Sequence, residues 1–172
     1  MKKFHLPCVQ GCSLNDRLAD RETLVRELIF TYKCERNCKN CHLLHVNYRT
    51  MSVELAVRVV KESIAYAKEN GFKNLVLHLI GGEVLDEFDS LKDFYNKISE
   101  LKSSLPIYLF VDTCGRNISD QCKQWLLDND DVYIRLRWND FTKSEVWDSD
   151  NEFWERKTDE ILWKMSKKDF PR

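Results

Sequence analysis

Three cysteines stand close together in the chain, as Cys34, Cys38 and Cys41. They follow the apolar, β-prone run of residues 28–32, so the sequence predicts that they lie on a loop at the end of a buried strand. Three thiolates on one short loop can bind a single metal centre, and cysteine thiolates are the usual ligands of iron–sulfur clusters. Three protein ligands leave one iron of a four-iron cluster open to a small molecule.

Zinc is the alternative metal for this loop. His42 or His45 would complete a site of three cysteines and one histidine, which is a common closed arrangement for structural zinc. Such zinc sites usually contain paired C-x2-C knuckles, whereas this loop has a C-x3-C spacing followed by a C-x2-C spacing. The spacing therefore favours iron–sulfur ligation.

A second chemically capable group is Gly81-Gly82-Glu83, which ends the continuous apolar run of residues 75–80. Glycines allow a main chain to approach a ligand closely, and backbone carbonyls and carboxylates accept hydrogen bonds from an ammonium group. The tripeptide lies one predicted strand–helix unit after the cysteines. Because ligands of parallel α/β folds bind at the carboxyl ends of the strands, we expect both motifs at the same edge of the sheet.

The C-x3-C-x2-C spacing, followed one unit later by Gly-Gly-Glu, resembles the radical S-adenosylmethionine (SAM) superfamily. The resemblance covers roughly residues 28–137 and is strongest in the first two strand–helix units. It implies that the three cysteines hold a 4Fe-4S cluster whose open iron binds the methionine part of SAM. It also implies that Gly81, Gly82 and Glu83 contact the amino group of SAM.

The turn at residues 112–115, Asp-Thr-Cys-Gly, looks like the D-T-N-G stretch of some activating enzymes of that superfamily, with cysteine in place of asparagine. This resemblance implies that Asp112 lines the SAM cleft, and a plain β-turn is the alternative. Two further departures from the family pattern are Asn40, where many members carry an aromatic residue, and Val84, where proline is usual. Neither departure removes a ligand.

Apolar runs alternate with amphipathic stretches along the chain, which predicts strands connected by helices. Such strands pair in parallel through right-handed crossovers. The predicted fold is α/β, a partial (βα) barrel of the radical SAM type with about four parallel strands, helices outside and an extra C-terminal helix. The predicted strands begin near Leu28, Leu75, Ile107 and Val132. The predicted helix starts are Ser52, Asp89 or Ser90, and Ser119.

The chain of 172 residues suits a single radical SAM-type domain. Its predicted parts are an N-terminal extension 1–26, a core of about 27–140 and a C-terminal helical segment 141–172. Complete members of the superfamily resemble a six-unit partial barrel, so this chain is either a short form or a fragment. The apolar positions within 151–165 predict a helix that covers the open side of the barrel and buries Trp154 and Ile161 or their neighbours, unless a homodimer or partner chain does so.

Composition excludes several classes of function. Lysine and arginine number 27 against 28 aspartate and glutamate, and no long block of one sign occurs, so a basic nucleic-acid-binding surface is not expected. No stretch resembles a signal peptide or the roughly 20 apolar residues of a membrane span, which predicts a cytoplasmic protein without a membrane partner. Seven cysteines in a chain of this size indicate metal ligands or thiols in a reducing compartment.

The other four cysteines receive no assigned role. Cys8 and Cys12 form an isolated C-x3-C pair, and a second cluster built from them with Cys114 and Cys122 is the less favoured alternative. Cys122 lies on an amphipathic helix face beside a tryptophan, where a buried small hydrophobic residue is the ordinary expectation.

Two further polar residues lie in predicted strands. His78 is expected to be a hydrogen-bonded core histidine rather than a catalytic one. Arg135 and Arg137 alternate with the apolar residues of the fourth strand and so share the opposite face. The carboxylate of SAM or of a substrate would pair with such arginines, and a solvated face is the alternative.

The resemblance implies an oxidoreductase that cleaves SAM reductively to a 5′-deoxyadenosyl radical, with an electron donor such as flavodoxin or ferredoxin as its partner. Beyond the cofactor ligands, the sequence assigns no catalytic residue. The favoured substrate is a peptide or protein. The alternatives are an activase of a glycyl-radical enzyme and a truncated, inactive cluster-binding scaffold.

Overall fold

The structure is a computed structural model that describes residues 22–35, 41, 49–115, 118–136 and 153. Four strands pair in parallel within these ranges, in the order β1-β2-β3-β4. The elements in chain order are β1 Thr23–Thr31, α1 Val53–Glu69, β2 Asn74–Gly81, a 3-10 helix Val84–Glu87, α2 Phe88–Ser99, β3 Ile107–Thr113, α3 Asp120–Asp128 and β4 Val132–Leu136. The predicted α/β fold with four parallel strands is therefore confirmed.

Local capping signals set the ends of two helices as predicted. The Ser52 side chain accepts a hydrogen bond from the backbone N–H of Leu55 at the start of α1, and Asn70 follows its last residue. Ser119 caps α3 in the same way through the N–H of Cys122. Serine suits these positions because its hydroxyl satisfies a backbone donor that has no partner within the helix.

No helix in the described ranges is long and apolar enough to cross a membrane.

Two predicted boundaries were wrong. β1 begins at Thr23 rather than near Leu28, because its charged residues have partners elsewhere in the fold: the Arg26 guanidinium lies 5.0 Å from the ring of Tyr66. The second helical segment begins before Asp89, since Glu83 caps the 3-10 helix and α2 continues directly from it.

The hydrophobic core lies between one face of the sheet and the three helices α1, α2 and α3. Alternate residues of every strand point into it, as the two-residue period of a strand requires. Its strand members are Leu24, Leu28, Phe30, Leu75, Leu77, Leu79, Ile107, Leu109, Val111, Val132 and Ile134. Its helix members include Ala56, Val60, Ile64, Leu91, Phe94, Ile98, Cys122 and Leu126. The opposite face carries the polar residues described below.

The predicted C-terminal covering helix is described at one position. Phe153 is helical, is buried and belongs to the hydrophobic core, and the ammonium of Lys123 lies 5.8 Å from its ring centroid. Trp154 and Ile161 lie outside the described residues. Whether this segment covers the β4 edge of the sheet therefore stays a prediction.

The ring of Phe94 tests the core directly. It is fully buried on α2 and lies 5.7 Å from the ring of Phe30 on β1. Replacing Phe94 with alanine should lower the free energy of unfolding by about 3–5 kcal/mol, because truncation leaves a cavity. Leu55→Ala, at an exposed position of α1, should change it by less than about 0.5 kcal/mol. Urea unfolding measures both, and equal losses would contradict this core.

Candidate functional site

The first three strands bring residues of the three sequence motifs to one edge of the sheet. Cys34 lies shortly after β1, Glu83 after β2 and Cys114 directly after β3. Because the strands are parallel, these positions all lie beyond the carboxyl ends, where α/β folds bind their ligands.

The cysteine loop is closed at its base by backbone pairing. The N–H of Tyr32 donates to the carbonyl of Arg49 over 2.7 Å, and the N–H of Met51 donates to the carbonyl of Phe30 over 2.8 Å. Thr31 and Thr50 form an antiparallel bridge between these bonds, and their hydroxyl oxygens lie 3.1 Å apart. The chain that leaves β1 with the cysteines is thus held at both of its ends.

The Gly-Gly-Glu turn is bonded to the same loop base. The N–H of Gly82 donates to the carbonyl of Thr31 over 2.7 Å, and the N–H of Glu83 donates to the carbonyl of Lys33 over 2.9 Å. A Cβ on Gly81 would lie 2.1 Å from the Thr31 oxygen, and one on Gly82 would lie 1.9 Å from the Lys33 oxygen. Both glycines are therefore required by the close approach of the two backbones.

The carboxylate of Glu83 is buried, with 2% of the residue exposed, and it joins the ends of β2 and β3. Its Oε1 accepts hydrogen bonds from the Thr113 hydroxyl over 2.6 Å and from the Leu85 N–H over 3.2 Å. Its Oε2 accepts one from the Cys114 N–H over 2.9 Å. A carboxylate has about four acceptor positions, and the described residues supply donors to three of them.

A row of ionisable side chains crosses the sheet on the face opposite the helices. Glu27, His78, Asp112 and Arg135 come from β1, β2, β3 and β4 respectively, and we call this row the charge ladder. The Nδ1 of His78 lies 3.3 Å from Glu27 Oε1, and its Nε2 lies 2.8 Å from Asp112 Oδ1. Arg135 donates through Nε to Asp112 Oδ1 over 2.7 Å and through Nη2 to Oδ2 over 2.6 Å.

The charge ladder answers two expectations from the sequence. His78 is a hydrogen-bonded histidine within the sheet, as predicted, and it is 1% exposed. Arg135 has an anionic partner in the chain itself, Asp112, in addition to any that a ligand could provide. Asp112 lies one residue before the end of β3, is 2% exposed and is bonded to His78 and Arg135. That it lines the SAM cleft stays a prediction. Sequence reasoning missed Glu27, which shares the face of His78.

Hydrogen bonding decides the ionisation of Asp112. Burial acts to raise the pKa of this carboxyl, but hydrogen bonds from His78 and Arg135 and their positive charge outweigh burial, so its pKa is lowered below the ordinary 3.8. A carboxylate held by charged donors is stabilised in its ionised form. Asp112 is therefore an anion over the physiological pH range.

The cysteines differ in their surroundings. Cys34 and Cys41 are partly exposed and form no disulfide, whereas Cys38, Cys8 and Cys12 lie outside the described residues. Burial, followed by the negative charge of Glu83, raises the pKa of Cys122 to about 12. A thiol so hard to ionise behaves as a small hydrophobic residue and is a poor cluster ligand. Among the described residues, no three metal-binding side chains come together.

A cation on the cysteine loop adds a third connection to the turn. The Lys33 ammonium lies 2.8 Å from the Glu87 carboxylate at the end of the 3-10 helix. The pair is partly exposed, so its contribution is at most about 1 kcal/mol. Taken together, the described residues place cysteine thiols and a buried carboxylate at the same edge of the sheet.

Gly82→Ala should separate the loop from the turn. The added Cβ would overlap the Lys33 carbonyl, so the bond from the Glu83 N–H must open. We expect a loss of unfolding free energy of about 3 kcal/mol or more and less iron bound per chain after anaerobic reconstitution. The control is Gly71→Ala, where φ is +77° but no atom lies within 4 Å of the new Cβ. It should cost about 1 kcal/mol and leave the iron content unchanged.

Asp112 should give the protein an acid-sensitive stability. Because its folded pKa is lowered, the carboxylate stabilises the fold fully above its ordinary pKa of 3.8, and this contribution is lost as the pH falls further. Asp112→Asn should lower the free energy of unfolding by about 3–5 kcal/mol at pH 7, since it removes one member of a buried ion pair. Urea titrations at pH 7 and below pH 4 measure the difference. A difference that does not shrink in acid would contradict this assignment.

A family model for the 4Fe-4S single cluster domain matches residues 24–153, more than half of the chain. Among solved structures, SuiB of Streptococcus suis bound to the precursor peptide SuiA is similar, with a TM-score of 0.50 and 19% identity over 73% of this chain and 26% of SuiB. SuiB bound to S-adenosylmethionine gives a TM-score of 0.51 and 17% identity over 73% of this chain and 27% of SuiB. The chain spans about a quarter of the length of SuiB. No curated protein matches it.

The two kinds of match carry different weight. Identities this low show that the chain shares its fold with SuiB. The family match includes the cysteine loop, the Gly-Gly-Glu turn and the charge ladder within its residues 24–153. The chain therefore belongs to the family of 4Fe-4S single cluster domains, within the radical SAM superfamily.

Proposed function

We propose that this chain is the cluster- and SAM-binding domain of a radical SAM enzyme that modifies a peptide or protein. The observation that carries the proposal is the backbone junction between the cysteine loop and the Gly-Gly-Glu turn. Two hydrogen bonds, from Gly82 to Thr31 and from Glu83 to Lys33, hold the thiol-bearing segment beside the buried carboxylate. A metal bound by the cysteine thiols and an amine bound by the Glu83 carboxylate would then be neighbours.

Cys34, Cys38 and Cys41 are the proposed cluster ligands. The two that are described, Cys34 and Cys41, are partly exposed and outside any disulfide, which fits a soft iron–sulfur group. The antiparallel bridge of Thr31 with Thr50 fixes the loop base, so less conformational freedom is lost when the thiolates bind. These features support the three cysteines as the ligand set. Three protein ligands leave one iron of the cluster open for SAM.

Glu83 and the two glycines are the proposed site for the amino group of SAM. Among the described residues, the Oε2 of Glu83 accepts from one donor, the Cys114 N–H, and a carboxylate oxygen can accept a second from an ammonium group. Burial strengthens such a contact, because an ion pair is screened less away from water. The carbonyls of Gly81 and Gly82 would complete the set of acceptors.

When bound, the cluster and SAM supply one-electron chemistry, in which the carbon–sulfur bond of the sulfonium breaks and a 5′-deoxyadenosyl radical forms. The chain's own task is to hold both groups and to keep stray hydrogen donors away. An external electron donor, of the flavodoxin or ferredoxin kind, is part of the proposal, as is a location in the cytoplasm.

A peptide or protein is the proposed substrate class. The support is that SuiB, which shares this fold, has been solved with a precursor peptide bound. The chain spans about a quarter of SuiB, so substrate selection would involve a further segment, a second copy or a partner chain. A neighbouring gene for a small precursor peptide would favour this class over activation of a glycyl-radical enzyme.

SAM cleavage is the measurement that tests the proposed function. The full chain is reconstituted anaerobically with iron and sulfide, reduced with dithionite and given SAM, and 5′-deoxyadenosine is quantified. Replacing Cys34, Cys38 or Cys41 with alanine should lower product formation by at least about a hundredfold, since ligand loss removes the cluster. Cys122→Ala is the matched control and should keep the wild-type rate, because that thiol is buried in the core.

Two outcomes would count against the proposal. Equal product from Cys38→Ala and wild type would show that the cysteine loop does not hold the cluster. SAM binding to the reconstituted protein without any cleavage under reduction would instead favour a cluster-binding scaffold.

A further inference from the structure

The charge ladder is connected to the SAM-amine site through the backbone of β3. Asp112 directly precedes Thr113 and Cys114 in the chain. These two residues donate the Thr113 hydroxyl and the Cys114 N–H to the carboxylate of Glu83, over 2.6 Å and 2.9 Å. Any displacement of Asp112 would therefore move two of the three donors that hold Glu83.

Asp112 is held from both neighbouring strands. Its Oδ1 accepts from His78 Nε2 on β2 and from Arg135 Nε on β4, and its Oδ2 accepts from Arg135 Nη2. The bidentate guanidinium contact restrains the plane of the carboxylate as well as its position. The end of β3 is thus restrained by these side chains in addition to its backbone hydrogen bonds with β2 and β4.

Both ring nitrogens of His78 have a partner in the charge ladder. The Nδ1 lies 3.3 Å from Glu27 Oε1, and the Nε2 donates to Asp112, because an ionised carboxylate only accepts hydrogen bonds. His78 and Asp112 are almost fully buried, so losing a partner would leave a buried polar group unsatisfied.

We propose that His78 and Arg135 are positioning residues, which act through Asp112 to hold the end of β3 and hence keep Glu83 in the geometry that binds SAM. The inference rests on the proposed function, because it assigns these residues to the SAM-amine site. Asp112 then supports that site through the backbone of β3. A purely structural role would differ, since it would lower the stability of the fold without changing the SAM affinity of folded protein.

Two variants of His78 separate these roles in the full, reconstituted chain. His78→Leu removes the donor to Asp112, and we expect the dissociation constant for SAM to rise about tenfold at unchanged iron content. His78→Gln retains an amide donor that can reach Asp112, and we expect affinity within about threefold of wild type. Tyr95→Phe is the control, because it removes a part-buried hydrogen bond to Asp131 without touching the ladder. It should leave SAM binding unchanged.

Hydrogen exchange at the Cys114 amide provides a readout that needs no SAM. This N–H donates to Glu83, so in His78→Leu it should exchange at least about tenfold faster than in wild type and in Tyr95→Phe. Unchanged exchange and unchanged SAM affinity in His78→Leu would overturn the inference. If wild type binds no SAM, the proposed function fails, and the exchange rates still decide whether His78 positions Glu83.

Discussion

The backbone pairing that continues past the ends of β1 and β2 determines where the other groups of the site lie. Neighbouring strands usually separate after the last backbone hydrogen bond between them. Here the N–H groups of Gly82 and Glu83 still donate to the carbonyls of Thr31 and Lys33, over 2.7 Å and 2.9 Å. Side chains at Gly81 and Gly82 would overlap carbonyl oxygens of the partner segment. The base of the cysteine loop and the Gly-Gly-Glu turn therefore form one unit, and neither can move without breaking hydrogen bonds of the other.

Burial of Glu83 extends that unit to β3. A carboxylate removed from water is costly unless donors replace its solvation, and Thr113, Cys114 and Leu85 supply three. If one donor were removed, the buried carboxylate of Glu83 would lose part of its solvation. Opening one of these hydrogen bonds therefore costs more free energy than opening one on the surface. One carboxylate thus joins the turn after β2 to the turn after β3.

How far the sequence predicts this arrangement depends on the range of each interaction. The caps at Ser52 and Ser119 and the starts of β2, β3 and β4 follow from local patterns, and they were predicted correctly. The start of β1 was wrong because Glu27 interrupts the apolar run, and its partner His78 is 51 residues away. The cysteine and glycine motifs were recognisable by spacing, whereas the function of Glu83 as a clamp depends on Thr113, 30 residues later. Spacing shows that residues can share a ligand, but not what else they bind.

The charge ladder also helps to specify the sheet. A slip of one residue in the pairing of any strand would turn its inward and outward faces over. His78 or Arg135 would then point into the apolar core, without Asp112 as a partner. Leucine and isoleucine could exchange places across such a slip at modest cost, but a polar side chain buried without a partner could not. The groups that restrain the end of β3 therefore also select the register that brings the cysteine loop and Glu83 to the same edge.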